Sequence, residues 1–129
     1  DKMKKVILTL LFVIIYSIFV AQCIPFSKFG PMPNDASNSV AKKNANLLKE
    51  ALLAANASST DRSVVIDEEY YIFNVTMSNL FNVTLTLNGK LIASNNISAW
   101  PKHPSSSETS PLGVLFIGDS EEITFNGHG

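Results

Sequence analysis

The sequence predicts an all-β domain that is entered through one amphipathic helix and preceded by a secretory leader. Two patterns set the fold class. Apolar residues recur at three- and four-residue spacing between Val40 and Ala57, and beyond Asp61 the period drops to two. A third pattern, a largely apolar run from Val6 to Val20 behind Lys4 and Lys5, marks the leader.

In the leader, Lys4-Lys5 form a positive n-region, Val6–Val20 the apolar h-region, and Ala21-Gln22-Cys23 the short stretch that a signal peptidase reads. The run falls short of the ~20 residues that a membrane-spanning helix needs. Ile24 to Asp35 is polar and rich in Pro and Gly, so nothing lengthens it. Residues 1–23 are read as a signal peptide whose translation is expected to begin at Met3, with cleavage after Cys23 and a secreted, extracellular product that has no membrane partner. Residues 24–129 are read as the first part of a domain that is incomplete at its C-terminus. The one cysteine of the chain is Cys23, so the mature part has neither a disulfide framework nor a thiolate metal site. Of ten Lys+Arg and eleven Asp+Glu, Lys2, Lys4, Lys5 and Asp1 fall in the leader. What remains is net acidic with no basic stripe, which argues against nucleic acid and anionic membranes as partners.

Along the mature chain, Pro25 to Ser39 is an irregular lead-in with Pro, Gly and Asn/Asp/Ser punctuation. Ser39 is the expected N-cap of a helix over Val40–Ala57, with Leu47, Leu48, Ala51, Leu52 and Ala55 on its core face. Ser63–Ile66 reads as a short strand. Tyr70–Met77 reads as one longer strand, with Tyr71, Phe73, Val75 and Met77 opposite Ile72, Asn74 and Thr76. Val83, Leu85 and Leu87 alternate with Asn82, Thr84 and Thr86. Asn88-Gly89 then predicts a tight antiparallel hairpin into Lys90–Ala93. A long polar loop follows over Ser94–Pro111. Gly113–Ile117 and Ile123–Phe125 close the chain as strands on either side of a turn at Gly118–Glu121. A sandwich, a barrel or a solenoid fits this pattern, and periodicity does not choose among them.

The motifs carry little chemistry. Four Asn-x-Ser/Thr sequons, at Asn56, Asn74, Asn82 and Asn96, are candidate N-glycosylation sites. Alternation sets Asn74 and Asn82 on the outward side of their strands. Asp67-Glu68-Glu69 and Asp119, Glu121 and Glu122 resemble acid/base pairs, but both clusters fall in turns, where solvated carboxylates are ordinary. Trp100, before Pro101, suits the anchoring of a loop better than the stacking of a sugar. His103 and His128 are the two histidines, and they are not at metal-ligand spacing. No cofactor or metal is expected.

Phe26-Ser-Lys-Phe29-Gly30, the alanine-rich Asn44–Leu52 stretch, Val64–Ile66, the run Asn82–Ser94 (NVTLTLNGKLIAS), Ser98-Ala-Trp-Pro101 and Ile123–Gly129 follow one another in order. In content and order they resemble the N-terminal region of glycoside hydrolase family 28, the polygalacturonases and their pectin-lyase-fold relatives. The resemblance implies a right-handed parallel β-helix capped by the helix at Val40–Ala57, with Asn88-Gly89 as a corner instead of a hairpin. It also implies a polysaccharide substrate, galacturonan or pectin, that is hydrolysed with inversion by carboxylates about 6.5–9.5 Å apart. The family's Asn-x-Asp, Asp-Asp, Gly-His-Gly and Arg-x-Lys motifs are expected beyond Gly129. Gly127-His128-Gly129 shares the letters of one of them but not its place, so no catalytic role is assigned to His128. A non-catalytic secreted β-solenoid that serves as a surface or polysaccharide-binding protein is the other reading.

Overall fold

The computed structural model describes residues 1–19, 22–102 and 113–127. Helix α1 (Lys2–Phe19) leads to β1 (Cys23–Pro25), a 3-10 turn at Phe26–Phe29 and helix α2 (Asn38–Ala57). Seven short strands follow: β2 (Ser63–Ile66), β3 (Glu69–Ile72), β4 (Val75–Ser78), β5 (Thr84–Leu87), β6 (Lys90–Ala93), β7 (Leu115–Gly118) and β8 (Thr124–Gly127). A second 3-10 turn, Ile97–Ala99, lies between β6 and β7.

The strands pair in parallel throughout. β1, β2, β5 and β8 form one sheet in that order, β3 and β6 a second, and β4 and β7 a third. Register keeps like residues together: Val64 lies opposite Leu85, Leu85 opposite Phe125, and Tyr70 opposite Leu91. The expectation of an all-β, right-handed parallel β-helix is corrected by this arrangement. The class is mixed α/β, with helices of 18 and 20 residues beside four-residue strands. The described strands form small separate parallel sheets, and no closed solenoid is present among them. The physical reason is one of surface: strands this short offer two inward side chains each, and much of the core is supplied by a helix.

That helix is α2. Its Val40, Ala41, Asn44, Ala45, Leu48, Ala51, Leu52 and Ala55 are buried, a stripe at helical spacing. Of these, Ala41, Ala45, Leu48, Ala51, Leu52 and Ala55 pack with Val64, Ile66, Tyr70, Ile72, Val75, Val83 and Leu85 in one cluster. Phe26 joins from the 3-10 turn, edge-on to Tyr70 at 4.9 Å between ring centroids, a favourable arrangement for aromatic quadrupoles. Leu47, expected on the core face, is only half-buried, and Leu53 is 52% exposed.

The helix starts two residues earlier than expected. Ser37 is the N-cap in place of Ser39, and its side chain makes no capping bond. Instead the Ser37 N–H donates to Asp35 Oδ1 at 2.9 Å, which fixes the entry of the chain. At the other end Arg62 supplies the cap. Its Nη1 donates to the carbonyls of Asn56 (3.1 Å) and Ser58 (2.5 Å), satisfying carbonyls at the end of α2 where a cation is favoured. Its Nε donates to Asn82 O at 2.8 Å and its Nη2 to Phe81 O, so the same guanidinium ties the corner before β5 to the helix.

Two strand expectations also change. Asn88-Gly89 does not make the hairpin its letters suggest but the corner that the family resemblance implies, because β5 pairs with β2 and β8 while β6 pairs with β3. Gly89 is not in the positive-φ region that a type I′ turn requires. It is glycine because the Glu68 carbonyl crosses directly over it, leaving no room for a Cβ. The apparent strand Tyr70–Met77 is two strands. Ile72 and Phe73 are buried in succession, and the chain turns at Phe73-Asn74, so the alternation changes phase between β3 and β4. Tyr70 and Ile72 point inward in β3, and Val75 and Met77 in β4.

These contacts set the expected costs of substitution. Gly89→Ala should destabilise the fold by about 1–3 kcal/mol through overlap with the Glu68 carbonyl. Leu48→Ala should cost about 2–5 kcal/mol through a cavity under α2, whereas Leu53→Ala should stay within about 0.5 kcal/mol. Urea unfolding midpoints of the three variants check this ordering. A Gly89→Ala variant as stable as the parent would remove the close-approach explanation.

Candidate functional site

Among the described residues, two grooves against the strands differ in charge. The larger, about 800 Å³, is bordered by Asp67, Glu68 and Glu69 at the β2–β3 corner and by Asn88, Gly89 and Lys90 at the β5–β6 corner above it. The sequence brings them together because the two corners stack: Glu69 stands opposite Lys90 in register. Lys90 Nζ meets Glu69 Oε1 at 2.5 Å, an exposed ion pair that contributes little to stability.

Behind this corner lies a network that the sequence did not announce. Ser27 Oγ donates to Asp67 Oδ2 at 2.5 Å. The hydroxyl of the fully buried Tyr70 donates to Asp67 Oδ1 at 3.0 Å and approaches Glu68 Oε2 at 3.4 Å. Partial burial raises the Asp67 carboxyl, but the hydrogen bonds from Ser27 and Tyr70 outweigh it, and its pKa falls below the ordinary 3.8. Burial, then the Asp67 and Glu68 charges, push the Tyr70 hydroxyl far above its ordinary value, so it stays protonated. Asp67 is thus an ionised acceptor that pins the 3-10 turn to the corner. A carboxylate with a lowered pKa is not a general acid at neutral pH. Of the second acidic cluster, Asp119 and Glu122 hold positive φ, and the Asp119 and Glu121 carbonyls accept the Asn79 and Asn82 N–H groups. Their backbone repeats that of Asn79 and Asn82, which also have positive φ. This cluster is a stacked corner and not a convergent pair.

The smaller groove, about 320 Å³, is lined by Lys42, Asn46, Phe73, Asn74, Ala99 and Pro101. Lys42 and Asn46 share one face of α2 at i, i+4 spacing. Lys42 Nζ sits 5.7 Å from the centroid of the Phe73 ring, within range of a cation–π contact. Sequence reasoning missed both residues, and the signal available was only that spacing. Trp100 does not open onto the groove as a sugar platform. It is 7% exposed, its Nε1 donates to Ser94 O at 2.8 Å, and its ring tilts against Phe73 at 5.4 Å. It anchors the loop.

The four sequons occupy different settings. Asn56, in the last turn of α2, accepts the Phe81 N–H at Oδ1 (2.9 Å) and donates from Nδ2 to Asn79 O (3.4 Å). Asn74 accepts Thr76 Oγ1 (2.8 Å) and donates from Nδ2 to Gly113 O (2.5 Å). Asn82 is exposed, with φ at 50° and no side-chain hydrogen bond among the described residues. Asn96 accepts Ser98 Oγ at 2.7 Å and keeps its Nδ2 unengaged among the described residues. Ala21, His103, His128, Gly129 and much of the Ser94–Pro111 loop lie outside the described residues.

Among the described residues no group of three or more His, Cys, Asp or Glu is placed to hold a metal, and no helix is long and apolar enough to cross a membrane. No family model, characterised protein or solved structure matches the chain.

The acid limb of stability follows from the Asp67 network. A depressed carboxyl pKa contributes stability that is present above the unfolded value and is lost as pH falls through the folded one. The melting temperature should therefore fall as pH drops below the ordinary 3.8 of Asp67. Tyr70→Phe, which removes one donor, should flatten that fall. Melting curves across about pH 2–5 check it, and an unchanged acid slope would remove Asp67 as its source.

Proposed function

We propose that this chain forms the N-terminal part of a secreted polygalacturonase-like glycosidase acting on galacturonan. The observation that carries the reading is the run Asn82–Ser94 followed by Trp100-Pro101, with its likeness to glycoside hydrolase family 28. The Lys42 groove supports it by charge: a uronate carboxylate is attracted to a free ammonium, and the Asn46 and Asn74 amides lie beside it for sugar hydroxyls. The Asp67–Glu69 groove, net acidic, repels a polyuronate and has no part in binding it. In this reading the carboxylates that cleave the glycosidic bond are supplied by residues other than those described here.

A second reading, a non-catalytic secreted protein that binds polysaccharide, is favoured by one observation. The Asp67 and Glu68 carboxylates converge on the Tyr70 hydroxyl instead of facing each other across free space. One pair of measurements separates the two. The product of the complete transcript is expected to release reducing ends from polygalacturonate, and the chain Ile24–Gly129 alone to release none. Retention in polygalacturonate gels that is weakened several-fold by Lys42→Ala, with no hydrolysis by the complete product, would replace the enzyme with the binding protein.

A further inference from the structure

We propose that Asn82 and Asn96 are the sequons that carry N-linked oligosaccharide, while the amides of Asn56 and Asn74 are withheld as internal hydrogen-bonding groups. The inference rests on the secretory reading above for its compartment, and on side-chain geometry for its choice among the four. Attachment replaces one hydrogen on Nδ2 with a sugar ring. The nitrogen attacks the anomeric carbon of a lipid-pyrophosphate-linked oligosaccharide: the N–C bond forms, the C–O bond to the pyrophosphate breaks, the lipid pyrophosphate leaves, and the nitrogen loses a proton to a base. The folded protein must then hold a bulky, hydrated group at that atom.

At Asn56 the amide is already committed at both ends. Its amide bridges the end of α2 to the 79–82 corner through Phe81 N–H and Asn79 O, and Arg62 closes the same junction from the Phe81 and Asn82 carbonyls. A sugar on Nδ2 would have to lie between helix and corner. At Asn74 both ends of the amide are engaged as well, and Nδ2 donates to the Gly113 carbonyl just before β7, while the next residue, Val75, donates its N–H to the Val114 carbonyl. A sugar there would compete with the Gly113 contact beside the β4–β7 pair. Modification at either position sets the sugar against these contacts, so modified chains would be depleted from the folded, secreted population.

Asn82 and Asn96 present the opposite case. The contacts of Asn82 are made by its backbone: N–H to Glu121 O, and C=O from Arg62 Nε. Its side chain stands free on an exposed corner. The positive φ at Asn82 suits Asn better than most residues, so the corner keeps an amide there and leaves it to solvent. Asn96 commits only its Oδ1, to the hydroxyl of its own sequon serine, at the start of an exposed 3-10 turn. Its Nδ2 is not engaged among the described residues.

The test uses the full chain secreted from a eukaryotic cell. Peptide mapping after amidase release, which converts a glycosylated Asn into Asp, reads each site. Conversion is expected at Asn82 and Asn96 and not at Asn56 or Asn74. Thr84→Ala and Ser98→Ala, which destroy the two sequons but keep both asparagines, should each remove one glycan-sized step in apparent mass. Conversion at Asn56 or Asn74 in secreted material, or its absence at Asn82 or Asn96, would overturn the proposal. If the natural leader leaves the protein inside the cell and unmodified, the secretory reading falls. The same mapping with a heterologous leader in place of residues 1–23 then decides the choice of sites by the same criteria.

Discussion

The side chain of Asn44 is the interaction around which the rest of this fold is arranged. It is fully buried in the middle of α2, and it makes three hydrogen bonds: Oδ1 from Met32 N–H at 3.0 Å, and Nδ2 to Met32 O at 2.9 Å and Tyr71 O at 3.1 Å. One amide thus joins the lead-in, the helix and β3. A buried polar group costs free energy unless its partners are present, and here they are. The arrangement therefore demands one rotational setting of α2 on the strands. With that setting fixed, Leu48 and Leu52 face the core, Lys42 faces the smaller groove, and Asn56 reaches the 79–82 corner.

The two grooves follow from the same setting. Residues on the polar flank of α2 meet the Phe73-Asn74 corner and form a pocket with a cation and two amides. Residues on the far corner stack form an acidic groove whose carboxylates are occupied with Ser27, Tyr70 and Lys90. Carboxylates alone are therefore a poor guide to chemistry in this chain. What distinguishes a site from a surface is whether a charged group already has a partner, and among the described residues Lys42 meets an aromatic ring and no carboxylate.

Much of this was legible in the residues. The helix over Val40–Ala57, its Leu48/Ala51/Leu52 face, the strands at Val64–Ile66, Thr84–Leu87 and Lys90–Ala93, and the loop-anchoring Trp100 all follow from period and composition. Three things were not legible. The resemblance makes Asn88-Gly89 a corner, but the reason for its glycine is a carbonyl from a chain segment some twenty positions earlier, a contact that no local pattern encodes. The Tyr70–Met77 run alternates well enough to pass for one strand because a buried corner residue, Phe73, bridges two phases. Asn44 reads as part of a polar helix flank, because hydropathy does not register a polar side chain whose partners are backbone groups far along the chain. The all-β expectation failed for a related reason: strand count weighed more than the area that one long helix covers.

Arg62 and Lys90 hold corners of the same molecule by different physics. The Lys90–Glu69 pair is solvent-exposed, with side chains 67% and 42% accessible, so dissolved ions compete for both partners. Among the described residues Arg62 binds no carboxylate. It binds four carbonyl oxygens, those of Asn56, Ser58, Phe81 and Asn82, and short-range charge–dipole contacts in a partly buried junction are much less open to screening. Ionic strength therefore separates the two ends of the fold. In dilute buffer both sets of contacts are made, whereas in concentrated salt the Lys90–Glu69 pair weakens while backbone pairing keeps its corner, and the Arg62 junction is little changed.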